Sequence, residues 1–290
     1  MSYPQAEKEP AAPACQGPQP LSFSVVVACN DDRVLQAALG SSPDLSLARE
    51  FLSKRGYASA GAAYNAGLAE ATGDIVVFAH QDVYLPPGWW NTLAGQIRLL
   101  ERDHPDWGVL GVFGVTQAGA RVGHLYSTGL QGVVGQPFAG PAEVVALDEV
   151  VLILRRNAGL KFDAQLPGFH HYGTDICLEA RRQGLRSFAC DVFCVHNSNG
   201  IVRLPRAFWR SYFHLRRKWA HELPITTNIL PVTRLAWPVI EYLLRGIISS
   251  LRRNKKVGRR HADPALLFQR LSCSGEFPSL AAGGSDSTLG

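Results

Sequence analysis

One stretch, Ala58 to Trp90, constrains the fold more than any other part of the chain; it reads ASAGAAYNAGLAEATGDIVVFAHQDVYLPPGWW. Its first half has apolar residues at helical spacing, with Ser59 placed as N-cap and Gly73 as stop. Ile75-Val76-Val77-Phe78-Ala79 is short and apolar throughout, the pattern of a parallel strand buried on both faces. That strand delivers His80-Gln81-Asp82 to its carboxyl end, and Pro86-Pro87 opens the next helix. Open α/β sheets bind ligands just beyond the carboxyl ends of their strands. Position alone therefore makes the His-x-Asp pair a site candidate.

The same logic extends along the chain. A first strand is expected over Phe23–Ala28, ending at Cys29-Asn30-Asp31-Asp32. Residues 44–54 read as a helix-like piece or a second, weaker strand. After Pro87 a helix runs to about Arg102, followed by a strand over Gly108–Val115. The glycine-rich region 119–140 suits loops or short hairpins at one sheet edge. A strand is expected over Val144–Arg155, and Thr174 is placed to cap a helix that runs to Gly184. A last strand, Ser187–Val195, carries His196-Asn197-Ser198 at its end. Alternation of this kind predicts an α/β fold with a mainly parallel sheet flanked by helices.

The domain division expected is a disordered tail over 1–20, one domain over 21–230, a C-terminal amphipathic and basic helical segment over 231–272, and a flexible tail over 273–290. The first twenty residues are rich in Pro, Ala and Gln and lack the apolar core of a signal peptide. Six cysteines form no CxxC pair. Four fall in apolar segments and read as small buried hydrophobes, Cys190 and Cys194 on one face of one strand, which favours a reducing, cytoplasmic compartment. A net charge of +5 points to anionic partners, and the basic residues concentrate late in the chain. They lack a nucleic-acid recognition motif, so nucleic acid is not expected as a partner.

Three polar clusters fall at strand ends or a helix start: His80/Asp82, Thr174/Asp175 and His196. An Asp and a His from separate strand ends can share a divalent cation; oxygen-rich sites suit Mg²⁺ or Mn²⁺, and an imidazole favours Mn²⁺. Such an ion neutralises a diphosphate leaving group, and a further carboxylate can serve as general base.

Four segments in order, AYNAG (63–67), FAHQDV (78–83), GFHHYGTDICL (168–178) and HNSNG (196–200), resemble the inverting family-2 glycosyltransferases of the GT-A fold. The match is closest to the glycosyltransferase-like group that includes StrF. The resemblance spans Phe23 to Gly200 and leaves a C-terminal helical extension beyond it. It implies a nucleotide-diphospho-sugar donor, a glycan, lipid-linked or small-molecule acceptor, and a metal held by Asp82 and His196. Asp82 matches the second acid of the DxD motif, and His80 stands where the first acid would be. Asp175 matches the catalytic base, with Thr174 replacing the Glu beside it. Asn30, Asp31 and Asn65, with His80 and Asp82, fall on the donor side. A non-catalytic GT-A module that binds a nucleotide, glycan or partner protein is the alternative, because the first acid is missing.

Plainer roles stand beside these. Asp82 can cap the turn before Pro86, Asp175 can simply favour its helix dipole, and His196 can be an ordinary hydrogen-bonded strand-end histidine. His170 and His171 either line the acceptor side or pack around Tyr172. Trp89 and Trp90 read better as core anchors than as a sugar platform. Leu235–Leu251 falls short of the roughly 20 apolar residues that cross a bilayer. With the basic run 252–256 it suits either the cytoplasmic face of an anionic membrane or packing on the domain.

Overall fold

The computed structural model describes residues 21–235, 237–251 and 257–273. The tail expected over 1–20, the tail expected over 273–290 apart from Cys273, which ends α7, and the basic run 252–256 lie outside the described residues, as does Cys15. In chain order the strands are β1 (Phe23–Cys29), β2 (Glu50–Arg55), β3 (Ile75–His80), β4 (Val83–Tyr84), β5 (Trp107–Gly111), β6 (Phe113–Val115), β7 (Arg121–Ser127), β8 (Gly132–Gly135), β9 (Ala142–Val144), β10 (Ala146–Leu147), β11 (Val151–Arg155), β12 (Arg186–Ala189) and β13 (Cys194–His196). The helices are α1 (Asp32–Ala37), α2 (Ala60–Glu70), α3 (Trp89–Asp103), α4 (Tyr172–Arg182), α5 (Arg206–Lys218), α6 (Trp237–Leu251) and α7 (Pro264–Cys273).

The main sheet runs β2-β1-β3-β11-β5-β12-β9. β2, β1 and β3 are parallel, as are β5 and β12, while β11 and β9 run against their neighbours. The α/β architecture is the expected one, but the sheet is mixed rather than nearly all parallel. Its central strands are apolar throughout because both faces are covered. Val25 and Val27, Val77, and Val151 and Ile153 pack on one side with α3; Val26, Phe78, Leu152 and Leu154 pack on the other with α2 and α4. α2 approaches β1 so closely that a Cβ on Gly67 would lie 2.2 Å from Val26 Cγ1. Trp89 and Trp90 are core anchors, and the Trp90 indole donates to the Asp44 carbonyl at 2.8 Å.

A second sheet has the order β10-β6-β7-β13-β4, with β8 on β7. It comes from strands that were expected to be continuous. The 108–115 run breaks at Val112 into β5 and β6, one in each sheet. The 187–195 run breaks into β12 and β13, so Cys190 and Cys194 do not share a strand face; the Asp191 carboxylate between them takes the Phe138 N–H at 3.1 Å. The 144–155 run breaks at Asp148-Glu149, polar groups that a strand buried on both faces cannot carry. Residues 45–47 form a 3-10 turn and β2 follows, the strand alternative for this region. Cys29, Cys177, Cys190 and Cys194 are buried free thiols.

Ser59 caps α2 as expected. α4 begins two residues before Thr174, which lies buried inside its first turn. The cap is His171, in the left-handed region at φ 66°. Its Nδ1 lies 2.9 Å from Ser211 Oγ, which itself donates to the Phe208 carbonyl. Nδ1 therefore carries the proton, and the buried Nε2 has no partner among the described residues. Burial, then the neighbouring His170, pushes the His171 pKa down to about 3 from the ordinary 6.5. A lowered histidine makes its full contribution to stability above the unfolded pKa and loses it as pH falls toward the folded one. At about 1.4 kcal/mol per unit, the cost at pH 5 is about 2 kcal/mol. Asparagine tolerates the left-handed conformation and keeps an amide donor for Ser211. Thermal melts at pH 7.5 and 5 should therefore show a smaller acid-induced drop for His171→Asn than for the natural chain; equal drops would contradict the buried neutral imidazole.

Candidate active site

The carboxyl ends of β1, β2 and β3 open onto a cleft of about 590 Å³ lined by Asn30, Asp32, Arg55, Tyr57, His80 and Asp82, among others. Gln81 ties the first strand end to the third: its Oε1 accepts the N–H groups of Asn30 and Asp31, at 3.0 and 3.2 Å, and its Nε2 donates to Asn30 Oδ1 at 2.6 Å. Asn30 is thus placed on the cleft. Asp31 is the N-cap of α1, accepting from Arg33 and Val34, and does not line the cleft. Asn65 is also turned to structure: its amide pairs with both backbone groups of Phe162, at 2.7 and 2.9 Å.

His80, Asp82 and His196 come together although the last lies far along the chain. β13 pairs with β4 so that His196 faces Val83. His196 Nε2 lies 3.5 Å and His80 Nδ1 4.0 Å from the same Asp82 oxygen, Oδ1. One donor atom from each of the three residues lies within 4.8 Å of the others. The other Asp82 oxygen, Oδ2, accepts from Arg260 Nη2 at 2.9 Å.

The protonation pattern follows from hydrogen bonding. Tyr172 OH donates to the Glu149 carbonyl at 3.1 Å, an atom that can only accept. The 2.8 Å contact between Tyr172 OH and His80 Nε2 is then donated by the imidazole. His80 Nδ1 is left with its lone pair toward Asp82, the tautomer a metal requires, fixed by an outer hydrogen bond. Burial, and after it the charge on His196, lowers the His80 pKa. Burial also opposes charge on His196, but the hydrogen bond and negative charge of Asp82 outweigh it and the pKa is raised. For Asp82 burial is again the largest effect, and His196, His80 and Arg260 together overturn it and hold the carboxylate ionised. Two imidazole nitrogens and one carboxylate oxygen, with the second oxygen engaged elsewhere, form a donor set that can hold a divalent metal ion.

Asp175 does not join this group. It is 2% exposed, Lys218 Nζ donates to both its oxygens at 2.8 and 2.9 Å, and the Trp219 indole donates at 2.7 Å. Burial raises its pKa against the pull of Lys218 and Trp219. Glu149 is nearer the triad, since its backbone carbonyl holds Tyr172. Burial, then Asp148, raises its carboxyl to about 8. Tyr172, Gln81, Glu149 and Arg260 all escaped the sequence reading. Gln81 and Tyr172 lay inside quoted motifs; Arg260 had no local signal.

Residues 45–133 match the model of glycosyl transferase family 2. That match agrees with the resemblance carried by the motifs. The matched segment runs from the 3-10 turn at Leu45 into β8 and supplies His80 and Asp82, whereas His196 and Arg260 lie beyond it. A protein of Fuscovulum blasticum described as "ATP synthase subunits region ORF 6" is 31% identical over 145 residues, 47% of this chain and 56% of that protein. The chain thus spans little more than half the length of that relative. Among solved structures, the mannosyltransferase PcManGT from Pyrobaculum calidifontis in complex with GDP-Man and Mn²⁺ is 14% identical, with 88% of this chain and 80% of that chain covered at a TM-score of 0.44. S. aureus TarS 1-349 in complex with UDP is 14% identical, with 60% of each chain covered at a TM-score of 0.42.

The triad makes a direct prediction. In a Mn²⁺ titration followed by electron paramagnetic resonance, Asp82→Asn and His196→Ala should each abolish tight binding. Tyr172→Phe, which frees the His80 tautomer, should weaken binding on the order of tenfold. Binding by Asp82→Asn equal to that of the natural chain would rule out the triad as a metal centre.

Proposed function

We propose that the chain is an inverting glycosyltransferase that moves a sugar from a nucleotide-diphospho-sugar to an acceptor hydroxyl on a glycan, a lipid-linked or a small molecule. The observation that carries this reading is the convergence of His80, Asp82 and His196 at strand ends beside the cleft, within and next to a family-2 segment. The nucleoside lies in the cleft over Asn30, with Tyr57, 40% exposed, offering a stacking face. The diphosphate lies toward His80 and Asp82. Asp82 and His196, with His80 beside them, would hold a divalent ion, Mn²⁺ or Mg²⁺, which when bound would supply positive charge to the departing diphosphate. The acceptor oxygen attacks the anomeric carbon opposite that group, its proton passes to a carboxylate, and the carbon–oxygen bond to phosphate breaks with its electron pair leaving on the nucleoside diphosphate.

Asp175, bonded to Lys218 and Trp219, is the base in this scheme. A second reading is favoured by their closed geometry: Glu149, beside Tyr172 and with its raised pKa, is the base. Asp175→Asn should lower transfer by ~10²–10⁴-fold, the range of general base catalysis, with donor binding intact. A loss confined to Glu149→Gln would move the role to Glu149. Full transfer by both variants would exclude both carboxylates as the base, whereas no transfer by the natural chain, with donor still bound, would leave the non-catalytic GT-A module as the function.

We also place the chain at the cytoplasmic face of an anionic membrane, through α6. Trp237, Leu243 and Leu244 are 61%, 54% and 52% exposed, and Arg245, ion-paired with Glu241, stands beside them. Among the described residues no helix is long and apolar enough to cross a membrane. An apolar stripe with a basic flank lies in the interface instead. Flotation with anionic liposomes should be lost in a Trp237→Glu/Leu243→Glu variant; equal flotation would remove the membrane role of α6.

A further inference from the structure

The segment 257–261 is docked on the HNSNG motif. Gly200 N–H donates to the Gly258 carbonyl at 2.9 Å. Asn199 Oδ1 accepts the Arg260 N–H at 3.0 Å, and Asn197 exchanges two hydrogen bonds with the backbone of His261, at 2.7 and 2.9 Å. Gly258 is buried so tightly that a Cβ there would lie 2.0 Å from the Thr128 carbonyl. These contacts use the motif's two asparagines, for which the transfer chemistry has no role. Their effect is to bring one cation to Asp82. Arg260 Nε donates to the Asn197 carbonyl at 2.8 Å and Nη2 to Asp82 Oδ2 at 2.9 Å.

A guanidinium has five N–H donors. Two are used in these bonds; Nη1 makes no hydrogen bond among the described residues, and the side chain is 30% exposed. A fixed guanidinium with open donors beside a metal-capable triad suits a phosphate oxygen.

We infer that Arg260 is a ligand of the donor diphosphate, so that nucleoside diphosphates bind this site even without a divalent ion. The inference deepens the donor-site reading above and rests on it. Arg260 stays on Asp82 Oδ2 through Nη2 and offers Nη1 to a phosphate oxygen, leaving Oδ1 to the two imidazoles.

The test is calorimetry of UDP, GDP, inorganic pyrophosphate and the nucleosides uridine and guanosine with the full chain, in EDTA and in Mn²⁺. The natural chain should bind a nucleoside diphosphate in EDTA. Arg260→Ala should lose on the order of tenfold or more of that affinity, the scale of a charge-assisted contact. Its nucleoside affinity should be unchanged, which a merely unfolded or loosened site would not allow. Arg260→Lys, with its charge but not its fork, should recover part of the loss and guards against misfolding of the alanine variant. Equal or tighter diphosphate binding by Arg260→Ala would overturn the inference and leave the donor-site reading standing. Failure of the natural chain to bind any of these diphosphates in Mn²⁺ would overturn both.

Discussion

The site depends on how the two oxygens of Asp82 are divided. Oδ1 faces two imidazoles and Oδ2 faces a guanidinium. A carboxylate this enclosed would pick up a proton if left alone, because desolvation penalises the charged form. It stays ionised because three elements bring cationic or polarisable groups to it: the end of β3, the end of β13 and the segment before α7. Each partner is itself held from behind, His80 by Tyr172, His196 by the β13–β4 pairing and Arg260 by Asn197. Preorganisation of this kind is what a metal or phosphate site needs, since the groups are fixed before a ligand arrives.

The broken strands explain how such partners meet. A continuous strand over 144–155 would carry Asp148 and Glu149 into the core; the break leaves them at the sheet end, where the Glu149 carbonyl orients Tyr172. A continuous strand over 187–195 would keep His196 in the main sheet. The break lets β13 join the second sheet beside β4, which follows His80 and Asp82 directly. The polar residues that interrupt apolar runs are thus the ones that gather the site.

Much of this was legible in the sequence. The helix–strand–HQD unit, the Ser59 cap, β1, α3 and the candidate triad residues follow from local spacing and turn chemistry. What local pattern could not reach was side-chain partnership across distance. Asn65 and Asp31 fell inside suggestive motifs, yet one clamps Phe162 and the other caps α1. Asp175 fits a motif, but its cover by Lys218 depends on how α5 packs, and no periodicity in α4 encodes that. Arg260 lies in a basic tract that reads as a solvated or membrane-facing surface. Only the tertiary docking of 257–261 shows where its charge goes. Strand breaks were missed for a related reason: apolar runs longer than a strand look continuous until a second sheet competes for their ends.

The central claim is that metal and donor diphosphate share one site built on Asp82. Phosphorus-31 resonances of UDP or GDP, titrated with the chain and substoichiometric Mn²⁺, test it most directly, because paramagnetic broadening falls steeply with distance. Strong broadening of both phosphate signals in the natural chain, lost in Asp82→Asn, is the expected result. Bound nucleotide whose phosphate signals stay as sharp with Mn²⁺ as without it would contradict the claim.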